Sequence, residues 1–524
     1  MRKIWKKLRL WGWALALLPI FFAAVPAAAA TFLFVPIDDR PVCLQYTVDT
    51  LQAAGYEVLT PPEELLSTRG RSGDADKLWE WVFAHAREAD AVVLSADSLL
   101  YGGLVPSRSH EISEDVIARR VAKFAEFKAE NPNVPVYGFS TIMRTPKYSA
   151  GGTDAPYYEK YGYQIYRLTA LWDKKEIEGL TTEEQQEVQQ LTAAIPQADL
   201  KDWMDRRGKN YRANIKMLEL TGQEIFRYFI IGRDDSWPYC QSHKEARDMG
   251  ALTGSLSKAR YDNFASADET GMLLLTRAVN DLTFQIPFVY AFYSPGTGSR
   301  TVPAYQGNTI GELLGDNILV AGGYKISAPE RADLIIAVST PLNGVTLEAA
   351  VPENTEALRP EVKVFVDEMV GYLDKGKRLT LGDIAFSNGA DNSLMVEIAK
   401  RKLLPKLAAY AGWNTAGNTT GYAISQGILS AVTSPQDRER LISVRLLDDW
   451  AYQANVRQTV KRDVVQPGGA SPVDLGSLRP KIEAATTEGL KAFAGKHFPE
   501  YDIQGLRATH PWNRMFEAKI EFNR

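Results

Sequence analysis

Cysteine and histidine are scarce in this chain, at two and five residues in 524. Cys43 and Cys240 offer at most one disulfide, so the fold is held by an apolar core rather than by a cross-linked framework. With so few soft ligands, a zinc site of the usual spacing is not expected. There is no excess of basic charge either. Setting aside the five basic residues of the first 30 leaves 55 basic against 64 acidic side chains, a net charge of −9. That balance argues against non-specific nucleic-acid binding, which needs a basic footprint. The chain also lacks a Gly-x-Gly-x-x-Gly turn, a Gly-Lys-Ser/Thr phosphate loop and a Gly-x-Ser-x-Gly elbow. Dinucleotide binding, P-loop chemistry and an α/β-hydrolase serine therefore have no sequence support.

Beyond residue 30 no apolar run reaches membrane-spanning length. The exception lies within the first 30 residues. Arg2, Lys3, Lys6, Lys7 and Arg9 precede an apolar stretch from Leu10 to Val25, followed by small residues at Ala27–Ala30. This is the pattern of a secretory signal peptide over residues 1–30, cleaved near Ala30–Thr31. The expected location is secreted or extracytoplasmic, in the cell envelope. Contact with a membrane is expected only through this segment, if it stays uncleaved.

What the chain does have is ordinary globular composition, 45% hydrophobic and 24% charged, and a recurring local pattern. Apolar runs of strand length alternate with helical stretches, and the runs end in clustered polar residues. Phe32–Ile37 leads into Asp38-Asp39-Arg40, Ala91–Ser95 into Asp97, and Val134–Ser140 into Thr141–Arg144. Tyr228–Ile231 leads through Gly232 into Arg233-Asp234-Asp235. Continuous apolar runs separated by helices imply parallel strands covered on both faces. The expected fold is α/β, as a (β/α) barrel or, alternatively, an open doubly wound parallel sheet. Residues 31–433 form this unit, with a helical insertion at about 151–222 and a mainly helical C-terminal extension at 434–524. No internal repeat of fixed period is present beyond the βα unit.

In such folds ligands bind at the carboxyl ends of the strands, where these polar clusters lie. Asp234 and Asp235 are adjacent carboxyls. Two neighbours that do not both ionise easily separate their pKa values, leaving one as a general acid and one charged. That division of labour suits glycoside hydrolysis. Asp38, Asp39, Arg40 and Asp97 are candidates for positioning substrate, with Tyr101 and Arg108 on the glycine-containing loop after Asp97, and with Arg144 and Asp391. Arg108, Arg144, Arg233 and Arg300 could equally compensate the carboxylates or bind an acidic group. Trp413, Asn414 and Asn418 combine an aromatic face with amides, as pockets for polyhydroxylated ligands do. Ser266-Ala-Asp-Glu269 reads as a capping box, and Asp391 is also a plausible N-cap. No cofactor is called for, although a divalent cation is compatible with so many carboxylates.

Pro36–Pro41, Ser95–Arg108, Gly232–Ser236, Asn388–Asp391 and Tyr410–Asn418 together resemble a bacterial family of exported proteins catalogued as domain of unknown function 4127. The resemblance covers nearly the whole chain after the signal segment and implies no particular activity. It implies a Gln where this chain has Arg233, which moves weight from Arg233 to the two aspartates. The leading expectation is an exported, glycosidase-like hydrolase acting on a glycan or cell-wall carbohydrate. A non-catalytic carbohydrate-binding protein and a metal-dependent hydrolase are the alternatives.

Overall fold

The computed structural model describes residues 30–147, 152–234, 237, 239–254 and 256–523. The expected signal segment, apart from Ala30, and Asp235 lie outside the described residues. The first six strands are β1 Thr31–Val35, β2 Glu57–Leu59, β3 Ala91–Ser95, β4 Val136–Ile142, β5 Tyr228–Arg233 and β6 Tyr261–Phe264. They form one parallel sheet in the order β2-β1-β3-β4-β5-β6. The chain then builds β7 Phe288–Tyr293, β8 Tyr324–Ile326, β9 Leu334–Ser339, β10 Leu347–Glu348, β11 Leu379–Asp383, β12 Phe386–Ser387 and β13 Ala409–Ala411. Five of these make a second parallel sheet, β13-β11-β9-β7-β8, while β10 and β12 pair apart from it.

The α/β reading holds, and of the two architectures the open one is found. Neither sheet closes into a barrel. The reason is the path of the chain: β2 lies on one side of β1 and β3 on the other, and likewise β8 and β9 flank β7. A barrel needs successive strands to advance in one direction, whereas this reversal opens the sheet and leaves a crevice at the carboxyl ends of the two strands it separates. Both halves therefore use the same winding, without any repeat in the sequence.

Strands β1, β3, β4 and β9 are buried along almost their whole length, as strands covered on both faces must be. Helices Thr270–Leu282, Ile310–Val320 and Ala416–Leu429 share one continuous apolar core with strand residues of both sheets. Ala416–Leu429 is buried at every position, which only a helix surrounded by protein tolerates. The 151–222 region contains the helices Tyr158–Ile177, Thr182–Ala194 and Gln197–Gly222. Toward the C-terminus a run of helical segments reaches Val465, followed by the helix Arg479–His497 and the antiparallel pair β14 Arg507–Thr509 and β15 Lys519–Glu521.

Gly232 in β5 has a steric reason. A β-carbon there would sit 2.3 Å from the backbone oxygen of Ser266, so only glycine lets the segment after β6 cross the end of β5. Gly232→Ala is expected to destabilise the protein by about 1–3 kcal/mol through backbone displacement. A denaturant midpoint identical to the parent would contradict this.

Candidate functional site

The end of β1 supplies the first element of the site. Asp38 accepts hydrogen bonds from Arg40 N at 3.1 Å and Arg40 Nε at 2.9 Å. The far side of the same guanidinium donates two bonds to Asp268, at 2.6 and 3.1 Å. Arg40 is thus a buried clamp between two carboxylates, the bidentate geometry that suits a guanidinium. Asp39 turns the other way and accepts from Trp512 Nε1 at 2.6 Å. Burial raises the Asp39 carboxyl to about 6 despite that bond.

Asp97 follows β3 directly, in the first turn of a short helix, Ala96–Tyr101. It accepts from Thr141 N at 2.8 Å and Thr141 Oγ1 at 2.9 Å, so it ties β3 to β4 from beneath the site. Burial raises it to about 6, with the Thr141 bonds opposing. Asp97→Ala would leave the Thr141 N–H unpaired inside the protein. The expected cost is about 1–3 kcal/mol, read as a lowered unfolding midpoint; an unshifted midpoint would mean the bond contributes nothing.

A cleft of about 380 Å³ opens above these residues, lined by strand ends of both halves and by the C-terminal segment. Asp234 faces it, a quarter exposed, and is paired with Arg108. Arg144 lines it too, held by Asp154 at 2.5 Å. Asn414 comes from the loop after β13, and Trp237, Tyr305, Trp512 and Phe516 supply aromatic surface. A recess of about 30 Å³ shares Asp234, Asp268, Tyr305, Asn414 and Thr415 with the cleft and is further lined by Glu269, Gln306 and Asn418.

Glu269 is a buried carboxyl of this recess with no salt-bridge partner among the described residues. It is 2% exposed, and its Oε1 has no hydrogen-bond partner among the described residues. Burial lifts its carboxyl to about 7. Gln306 Oε1 and Asn418 Oδ1 are likewise buried without a partner among the described residues. Three unsatisfied polar atoms around one recess call for an explanation, and a site that a ligand completes provides one. Helix Ala416–Leu429 approaches so closely that a β-carbon on Gly421 would lie 2.7 Å from Glu269 Cγ. Arg233 also borders the recess, with Nη2 3.4 Å from Asn308 Oδ1 and Nε unpaired among the described residues.

Several expected residues fall elsewhere. The capping box at Ser266–Glu269 is not formed: helix Thr270–Leu282 has no side-chain cap, because Asp268 is drawn to Arg40 and Glu269 lines the recess. Asp391 does cap a helix, accepting from Ser393 N at 3.0 Å and Leu394 N at 3.4 Å, and it pairs with Arg359. It lines a separate pocket beside Ser294 and Ser339, at the winding reversal of the second sheet, not the main cleft. Trp413 offers no stacking face: it is 1% exposed and packed against Phe516. Tyr101 is buried against the ring of His110. Asn418 reaches the site only through the recess.

Other site residues carried no local signal. Trp512, Arg514 and Phe516 lie between β14 and β15, far in sequence from the strands of the two parallel sheets, and enter only through the tertiary fold. Among the described residues, no three His, Cys, Asp or Glu side chains converge in a way that could hold a metal ion. Between Asp38 and Asp268 the positive charge is that of Arg40. Both cysteines are buried free thiols.

The chain belongs to the family described as protein of unknown function (DUF4127), whose model matches residues 32–521. No match is found among curated proteins.

Proposed function

We propose that the protein is an extracytoplasmic hydrolase that cleaves a glycan, with Glu269 as general acid and Asp234 as the ionised partner. The observation that carries this reading is the contrast between two carboxyls bordering one recess. Asp234 is partly solvated and paired with Arg108. Glu269 is buried without a counter-ion among the described residues, and burial raises its carboxyl to about 7. A buried acid beside a solvated, ion-paired carboxyl is the arrangement that divides two such groups into acid and base. Glu269 donates its proton to the glycosidic oxygen as the bond to the sugar carbon breaks, and Asp234 supports the positive charge that develops there or activates the incoming water. Trp237 and Tyr305 provide aromatic surface for sugar rings, and Asn414 provides an amide for hydroxyls.

This reading moves the acid from the adjacent Asp235 to Glu269 and keeps Asp234. It is tested by incubating the protein with envelope glycans and measuring released reducing ends. Asp234→Asn is expected to lower kcat about 10²- to 10⁴-fold while the unfolding midpoint stays within a few degrees. Undiminished turnover by that variant would sink the assignment.

One observation favours a second reading, a carbohydrate-binding protein without turnover. Asp268 is fully engaged by Arg40, and Asp234 is held by Arg108, so both carboxylates are positioned as fixed acceptors. Tight glycan binding with no product after prolonged incubation would select this alternative.

A further inference from the structure

At the floor of the cleft the carboxylates of Asp234 and Asp268 are matched by Arg108 and Arg40, whereas the cations at its rim are not all matched. Asp234, Asp268 and Glu269 line the recess, which we take as the floor, while Arg144, Lys147, Arg457 and Arg514 line the cleft outside it, the rim. The rim cations differ in how they are balanced. Arg144 is paired with Asp154 and Arg514 with Glu517. Lys147 and Arg457 form no ion pair with any described residue. Each is held instead by an aromatic face: Lys147 Nζ lies 3.9 Å from the Trp237 ring centre, and Arg457 Cζ lies 5.2 Å from that of Phe516. Arg457 Nη1 also donates to Gln453 Oε1 at 3.0 Å.

Cations oriented by rings and a neutral amide keep their charge available to an incoming anion. Their presence is not a by-product of composition, since the whole chain carries a net charge of −4. Arg457 also follows directly on the wide helical segment Leu446–Val456, a departure from regular α-helix that recurs at functional sites.

We infer that the glycan taken by this cleft is acidic, with its oxyanion held at the rim by Lys147 and Arg457 while the neutral part of the chain reaches the floor. This rests on the glycan reading above and adds the substrate class to it. The shared chemistry is an oxyanion, borne as a sugar carboxylate or as a phosphate ester. The place of these cations outside the recess gives the substrate a direction: its acidic group is held at the rim, which fixes which bond faces Glu269.

The test is binding of three oligosaccharides to the full-length protein by calorimetry: tetragalacturonate, its methyl ester, and a phosphorylated tetramannoside. The expected result is that at least one charged ligand binds about tenfold or more tightly than the methyl ester. In Lys147→Gln/Arg457→Gln that ratio should fall to near one, and in the parent it should shrink as salt is raised. Lys400→Gln, on an exposed surface, serves as the charge control and should keep the ratio. Preference for the carboxylated or the phosphorylated ligand names the source of the oxyanion. Equal affinity for charged and neutral ligands, or a ratio that survives the double substitution, overturns the inference and leaves the hydrolase reading standing. Absence of binding by all three overturns both.

Discussion

Replacing Glu269 by glutamine is expected to abolish turnover and, at the same time, to make the protein harder to unfold at neutral pH. The two effects have one cause. Glu269 carries a carboxyl raised from its ordinary 4.5 to about 7 by burial, so the fold disfavours its charged form. Below about pH 4.5 the group is protonated in both folded and unfolded chains, and its contribution to stability is fully present. As pH rises toward 7 the unfolded chain ionises while the folded one does not, and that contribution is progressively lost. The total is on the order of 3 kcal/mol. Glutamine has the same shape and never ionises, so the variant escapes the loss. Its kcat should fall about 10²- to 10⁴-fold, and its unfolding midpoint should exceed that of the parent at pH 8 but match it at pH 4. Asp39 and Asp97, raised by burial to about 6, add to the same slope in the parent. A variant that is inactive and also less stable at pH 8 would show that Glu269 is ionised and paired in the fold, against this account.

Arg40→Met is expected to be the most destabilising single change near the cleft. Arg40 is buried, and its guanidinium satisfies Asp38 on one side and Asp268 on the other. Removing one partner of a buried pair costs about 3–5 kcal/mol, because the charge left behind has neither water nor counter-ion. The penalty should shrink at pH 5, where Asp268, already raised by burial, takes up a proton more easily. Asp38→Asn/Arg40→Met/Asp268→Asn removes all three charges together and should recover most of the loss. Denaturant midpoints of the parent, Arg40→Met and the triple variant at pH 5 and 7.5 check this, and a triple variant no better than Arg40→Met would refute the electrostatic explanation.

The strands of the first half were legible because each is a continuous apolar run closed by turn residues: Phe32–Val35, Ala91–Ser95 and Tyr228–Ile231 are buried strands in the structure. Tyr324–Ile326, Leu347–Glu348 and Phe386–Ser387 are too short, and too exposed in the first two cases, to stand out from loops. The choice between barrel and open sheet was not legible, since it depends on which side of β1 the third strand joins. Asp38, Arg40, Arg108 and Asp234 were legible as polar groups at or soon after the ends of parallel strands. Glu269 was seen but read as a cap, since Ser-x-x-Glu before a helix looks the same whether Glu turns back to the backbone or into a cavity. What decides between them is Arg40, which takes Asp268 from more than two hundred residues away. Trp413 misled for the converse reason: its glycine- and asparagine-rich surroundings suggest exposure, yet Phe516 covers it.

The bond from Trp512 to Asp39 sets the order in which the cleft can come into being. Asp39 is among the first residues of the described fold, and Trp512, Arg514 and Phe516 are among the last. A chain still on the ribosome can wind the first sheet and pair Arg40 with Asp268 once the helix after β6 has emerged. It cannot wall the cleft or cover Trp413. The enclosed cleft is therefore completed only after residues 512–516 have been synthesised, rather than built up with each strand. A copy terminated before Trp512 would fold much of its core and still have no enclosed cleft.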